Sequence, residues 1–130
     1  MRFLPLALPG CFEVLADAQE DARGSFVKTF HREEFLRAGL RFEAAETFHS
    51  VSKARVLRGL HFHLPPREHA KLVSCLRGRV LDAVVDLRAG SPAFGKGLLV
   101  ELSAAKANQL FIPAGVAHGF YAPEDEALMA

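Results

Sequence analysis

From residue 41 onward the chain is cut into short runs at nearly even spacing, and this rhythm constrains the fold more than any other feature. Runs at 41–50, 55–62, 70–76, 80–87, 98–102, 109–112 and 119–122 each read as a strand. Pro65-Pro66, Gly78, Gly90-Ser91-Pro92, Gly95 and Pro113-Ala114-Gly115 separate them as turns. Short strands punctuated in this way predict an antiparallel sandwich or barrel. Upstream, strands are predicted at 1–10, 11–15 and 25–30, with a polar stretch at 17–24. The one helix is predicted over 31–38, two mostly charged turns stopped by Gly39 and read as a surface connection. No repeat, low-complexity tract or linker divides the chain, so residues 1–130 are expected to form a single all-β domain with one short surface helix.

Within that rhythm residues 58–71, Arg-Gly-Leu-His-Phe-His-Leu-Pro-Pro-Arg-Glu-His-Ala-Lys, stand apart. They set cations and histidines between two apolar runs, where an unpaired ion removed from water costs several kcal/mol. Charge threaded through strands implies a polar cavity inside a β-fold. If this segment is extended, Gly59, His61 and His63 share one face. Two histidines pointing the same way suggest chemistry rather than a single satisfied core residue.

The bulk composition narrows the partners. A net charge of +1 and a pI near 7.9 give no electrostatic case for nucleic acid or for a membrane surface. Half of the 130 residues are hydrophobic, enough for a real core. No apolar run approaches the roughly 18 residues of a spanning helix. Cys11 and Cys75 form no zinc-binding spacing and read as reduced, buried thiols, which favours a cytoplasmic home.

A second motif, Pro113-Ala114-Gly115-Val116-Ala117-His118-Gly119-Phe120, completes the pattern. His-x-His early and Pro-x-Gly-x-x-His late resemble the two motifs of the cupin superfamily, jelly-roll barrels with a site in the barrel mouth. In most cupins such histidines and a Glu hold a divalent metal, and His61, His63, Glu68 and His118 would be that set here. The register argues against it. In metal cupins six residues separate the Glu ligand from the hairpin Gly, and counting back from Gly78 lands on Lys71. An ammonium in the ligand's place opposes a metal, so no metal is expected.

Further stretches resemble one metal-free cupin family, the nucleotide-diphospho-4-keto-6-deoxysugar 3,5-epimerases. They are Asp21-Ala22-Arg23-Gly24-Ser25-Phe26, His49-Ser50-Val51-Ser52 with Val56-Leu57-Arg58-Gly59-Leu60-His61, Lys71-Leu72-Val73, the run from Gly78 to Arg88, Ser91-Pro92-Ala93-Phe94-Gly95, and Gln109-Leu110-Phe111-Ile112-Pro113 through Phe120. The resemblance implies a cupin-type jelly roll, no cofactor and a homodimer. It implies an isomerase that removes a proton alpha to a sugar C4 ketone. His61 would be the general base, Lys71 the partner of the enolate, and Asp82 a carboxylate near that lysine. Arg58 and Arg23 would hold the pyrophosphate, His118 would line the sugar pocket, and Arg23 and Phe26 would reach a neighbouring subunit's site.

The chain also departs from this pattern. Glu46 and Phe48 stand where the family has Gln and Asn, Lys28 where it has Glu, and Phe62-His63 where it often has Tyr-Gln. Glu46, Phe48 and His63 would border the nucleotide and sugar, so the base of the nucleotide stays open. The family's proton-donating Tyr, and the Asp that orients its catalytic His, fall past Ala130, so weak activity is expected. Two other functions remain compatible with these residues: a metal cupin, and a sugar-nucleotide binding module without catalysis.

Overall fold

The computed structural model describes residues 1–130. Twelve strands and one helix follow in the order β1 (Arg2–Pro5), β2 (Phe12–Leu15), β3 (Ala18–Asp21), β4 (Gly24–Val27), α1 (Arg32–Arg37), β5 (Ser50–Ser52), β6 (Leu57–His61), β7 (Lys71–Arg77), β8 (Arg79–Asp86), β9 (Gly97–Ser103), β10 (Asn108–Ile112), β11 (Val116–Tyr121) and β12 (Ala127–Met129). A six-stranded sheet, β1-β2-β10-β7-β12-β5, faces a four-stranded one, β6-β11-β8-β9. Every pairing is antiparallel, and the result is the expected jelly roll.

Alternation along β8 shows how sequence makes this core. Val80, Asp82, Val84 and Asp86 are buried while Arg79 and Leu81 face out. Val80 and Val84 join Val73, Cys75, Leu102, Leu110, Ile112, Val116, Phe120 and Met129 between the sheets. Both cysteines are free and buried there, and burial pushes the Cys11 thiol up to about 11. No helix is long and apolar enough to cross a membrane.

The helix is more than a surface connection. Phe35 is buried, in a second cluster with Val14, Leu40 and Phe111. Its ring lies 5.0 Å from Phe3 and 4.9 Å from Phe30, so α1 is pinned to the six-stranded sheet through one aromatic side chain. Gly39, with φ of 77°, ends it as expected.

Two strand expectations fail. Residues 41–49 form no strand, and only Ser50–Ser52 pairs, with β12. Glu43-Ala44-Ala45-Glu46 has weak β-propensity, and Phe42 turns toward Phe30, Phe35 and Phe111 rather than into a ladder. The polar stretch at 17–24 contains a strand, β3, which pairs with β4 as a hairpin outside both main sheets. All four β3 residues are exposed, so no apolar face marked it in the sequence. A salt bridge from Arg23 to Asp21 holds the turn at 2.6 Å.

Candidate active site

The site is assembled on the inner faces of β6, β7, β8 and β11. His61, the last residue of β6, stands opposite His118 of β11. Their ring centroids are 4.7 Å apart. Glycines make this approach possible: a Cβ added at Gly59 would lie 2.6 Å from the Gly119 Cα, and one at Gly119 would meet the Arg58 carbonyl at 2.6 Å. A bulge between His118 and Phe120 completes the local geometry.

His118 is almost fully buried, and its Nδ1 lies 3.2 Å from the Asp82 Oδ2. Because a carboxylate accepts, Nδ1–H donates, which leaves Nε2 of neutral His118 with its lone pair. Asp82 was expected beside Lys71. Its charge does act on the lysine, and its hydrogen bond goes to His118. Burial pushes the Asp82 carboxyl up, against the pull of His118 and Lys71.

Lys71 opens β7 opposite Ile112 and shares its face of the strand with the core residues Val73 and Cys75. Its Nζ is buried and has no hydrogen-bond partner. One Asp82 oxygen, Oδ1, is likewise unpaired. Burial lowers the lysine pKa from its ordinary 10.5, with Asp82 opposing. His61 stays open to solvent, yet its pKa falls below the ordinary 6.5, first through partial burial and then through Lys71, His118 and His63. A neutral imidazole and an ammonium thus share one inner surface.

The other expected residues occupy the periphery. Arg58 is held by Ser52, its Nε donating to Oγ at 2.8 Å, and by the Val51 carbonyl at 3.2 Å. Strand β6 ends at His61, so His63 does not continue its face; it packs against His69, the ring centroids 4.3 Å apart and the planes tilted by 38°. Glu46 is exposed. Phe48 is 74% exposed and borders a cleft of about 340 Å³ with Leu76 and Leu128, apart from His61 and Lys71. Arg23 sits at the hairpin tip, and Phe26, 62% exposed, borders a cleft of about 140 Å³ with Gln19, Lys28 and Glu34. Within one chain, then, His61, Lys71, Asp82 and His118 converge, while Arg23, Phe26 and Phe48 lie elsewhere. No three His, Cys, Asp or Glu side chains are grouped as metal ligands. The Asp82–His118 bond was missed from sequence, although a carboxylate on the Val80–Val84 face signals a buried partner.

Comparison with known proteins points in the same direction. The family model described as dTDP-4-dehydrorhamnose 3,5-epimerase matches residues 5–130. A protein of that name from Shigella flexneri is 47% identical over 108 residues, which cover 82% of this chain and 60% of the relative. Among solved structures, NovW, a 4-keto-6-deoxy sugar epimerase from the novobiocin biosynthetic gene cluster of Streptomyces spheroides, superposes with a TM-score of 0.94 at 38% identity, covering 99% of this chain and 65% of that one. The RmlC enzyme of Legionella pneumophila, solved in complex with dTDP-4-keto-L-rhamnose, gives 0.92 at 32% identity, covering 98% and 68%. The chain spans about 60% of the length of the Shigella relative and 65% of NovW.

Proposed function

This chain belongs to the dTDP-4-dehydrorhamnose 3,5-epimerase family, and from that membership we propose that it epimerises a nucleoside-diphospho-4-keto-6-deoxysugar at one or both carbons flanking the ketone. One observation carries the proposal: the buried, unpartnered Lys71 ammonium beside His61. An ion left without a partner is costly unless the function supplies one, and an enolate is such a partner. His61, held neutral, takes the proton from the carbon next to the ketone. The C–H electron pair moves onto the ketone oxygen as an enolate, where Lys71 meets the charge. A proton then adds to the same carbon from the opposite face, and the electron pair on oxygen returns to restore the ketone. His118, oriented by Asp82 and set against the His61 ring, lines the sugar pocket. No cofactor takes part in this scheme.

Arg58, already fixed by Ser52, suits the pyrophosphate. Arg23 and Phe26 lie on a hairpin that is paired into neither main sheet, and an isolated two-stranded hairpin is marginal in water. A homodimer in which the hairpin reaches the other subunit's substrate would give Arg23, Phe26 and the hairpin itself a role. Glu46, Phe48 and His63 are assigned to the nucleotide and sugar surroundings. Two free buried thiols suit the cytoplasm.

The test is incubation with dTDP-4-keto-6-deoxysugars and their uridine counterparts, followed by proton NMR of the sugar. Inverted configuration at C3 or C5 is the expected result. Binding without any change at either carbon would make the protein a sugar-nucleotide binding module.

A further inference from the structure

Arg58 and His61 lie three residues apart on β6, and in a regular strand they would point to opposite sides. The bulge removes that conflict. His61 stands opposite His118 and Arg58 opposite Phe120, two residues of β11 that share its inner face with Val84 and Asp82. Arg58 and His61 therefore open onto the same side. From β6, an edge strand of the four-stranded sheet, the Arg58 side chain crosses to β5, an edge strand of the six-stranded one. There its Nε donates to the Ser52 Oγ at 2.8 Å and its Nη2 to the Val51 carbonyl at 3.2 Å.

Other arginines of the chain are held differently. Arg23, Arg77, Arg79 and Arg88 each meet a carboxylate, which offsets their charge. Arg58 is held by a hydroxyl and a carbonyl, so it is oriented without being neutralised. A guanidinium carries five N–H groups. The one on Nε and one on Nη2 are committed to β5, which leaves one N–H on Nη2 and both on Nη1. That terminal fork matches two oxygens of a phosphate. The brace is itself fixed. Ser52 is 1% exposed and pairs with Ala127 of β12. The link from β5 to β6 is tied down just past β11, where the Arg55 N–H donates to the Ala122 carbonyl at 2.7 Å and the Ala122 N–H to the Val56 carbonyl at 3.0 Å.

We propose that Ser52 is a positioning residue for diphosphate recognition, its buried hydroxyl turning the Arg58 guanidinium so that the terminal fork faces the substrate's phosphates. The idea rests on the role given to Arg58 above. A long, free side chain loses rotamer freedom when it binds, whereas one fixed beforehand loses little. Ser52 touches no substrate and acts through Arg58, so its hydroxyl governs binding and not the proton transfer at His61.

Isothermal titration with dTDP and with inorganic pyrophosphate reads the binding. Steady-state kinetics on a dTDP-4-keto-6-deoxysugar separate KM from kcat. The variants are Ser52→Ala and Ser52→Cys, the second keeping the side chain's size but offering sulfur, a weak acceptor. Each should bind both ligands about tenfold more weakly, the loss expected of one hydrogen bond. KM should rise by the same factor while kcat stays at the parent's value. Added to Arg58→Ala, the Ser52→Ala change should weaken binding no further. Parent-like affinity in the Ser52 variants overturns the proposal. So does a further loss in the double variant, which would give the hydroxyl a role independent of Arg58. A parent that binds neither dTDP nor pyrophosphate contradicts the role of Arg58 and that of Ser52 with it. A parent that binds dTDP but leaves the sugar unchanged contradicts the epimerase function alone, and the titrations still decide for Ser52.

Discussion

The Asp82 carboxylate and the His118 imidazole, 3.2 Å apart and both nearly sealed from solvent, form the one fully buried polar pair of the candidate site. Asp82→Ala would strand the His118 N–H in the core, at a cost of about 1–3 kcal/mol. Asp82→Asn leaves an amide oxygen to accept that bond and should cost less stability. Both changes remove the negative charge that supports the Lys71 ammonium, so both should slow turnover. Thermal unfolding and turnover of the two variants check the separation.

Lys71 should show a trade between stability and activity. Burial works against its charge, the Asp82 charge offsets only part of that, and its Nζ has no hydrogen-bond partner. Lys71→Met is therefore expected to raise Tm while lowering kcat by about 10²- to 10³-fold, the usual loss when an oxyanion partner is removed. A Tm that falls together with activity would mean the ammonium is satisfied in the fold.

The rate should follow a bell-shaped pH profile. His61 must be neutral to act, and its pKa is held below 6.5, so the acid limb lies below that value. Lys71 must be charged, and its pKa is held below 10.5, so the alkaline limb falls earlier than an ordinary lysine would give. His61→Ala should abolish activity across the range, and Lys71→Arg should move the alkaline limb upward wherever activity survives. Steady-state kcat/KM against pH reads both limbs.

Acid stability should depend on Asp86, far from the chemistry along β8. This buried carboxylate bonds Arg88 at 2.5 Å and the Ser91 hydroxyl at 2.7 Å, while Arg88 also donates to the Pro9 carbonyl at 2.7 Å. The Arg88 guanidinium holds its carboxyl well below the usual range against the effect of burial. A depressed folded pKa contributes stability that is present above the unfolded value and lost as pH falls below it. Between about pH 5 and pH 2 the parent should therefore lose stability more steeply than Asp86→Asn, which starts lower. Parallel unfolding curves would remove Asp86 as the cause.

The architecture was legible where apolar alternation or a turn residue determined it. Val80-Leu81-Asp82-Ala83-Val84 could only be a strand with one face inside, and Gly39 could only end a helix. His61 and Lys71 were legible because a histidine and a cation interrupting apolar runs require a purpose. The hairpin of Ala18–Asp21 was not, since residues polar on both faces carry no period. Residues 41–50 misled because Phe42 and Phe48 look like strand positions. Phe42 instead packs among the helix aromatics, and Phe48 is exposed. The Asp82 partner depended on how β8 and β11 align, which puts Asp82 opposite Phe120 and His118 opposite Val84. Local sequence does not encode that alignment.

The most direct measurement compares the parent with His61→Ala for deuterium wash-in beside the ketone, with nucleotide-sugar affinity measured on the same samples. His61 as base predicts exchange in the parent and a loss of about 10²- to 10⁴-fold in the variant. Affinity should stay within a few-fold, because Arg58 remains braced by Ser52 and free to hold the pyrophosphate. Exchange as fast in His61→Ala as in the parent would contradict the assignment, leaving the Lys71 pocket as a binding site.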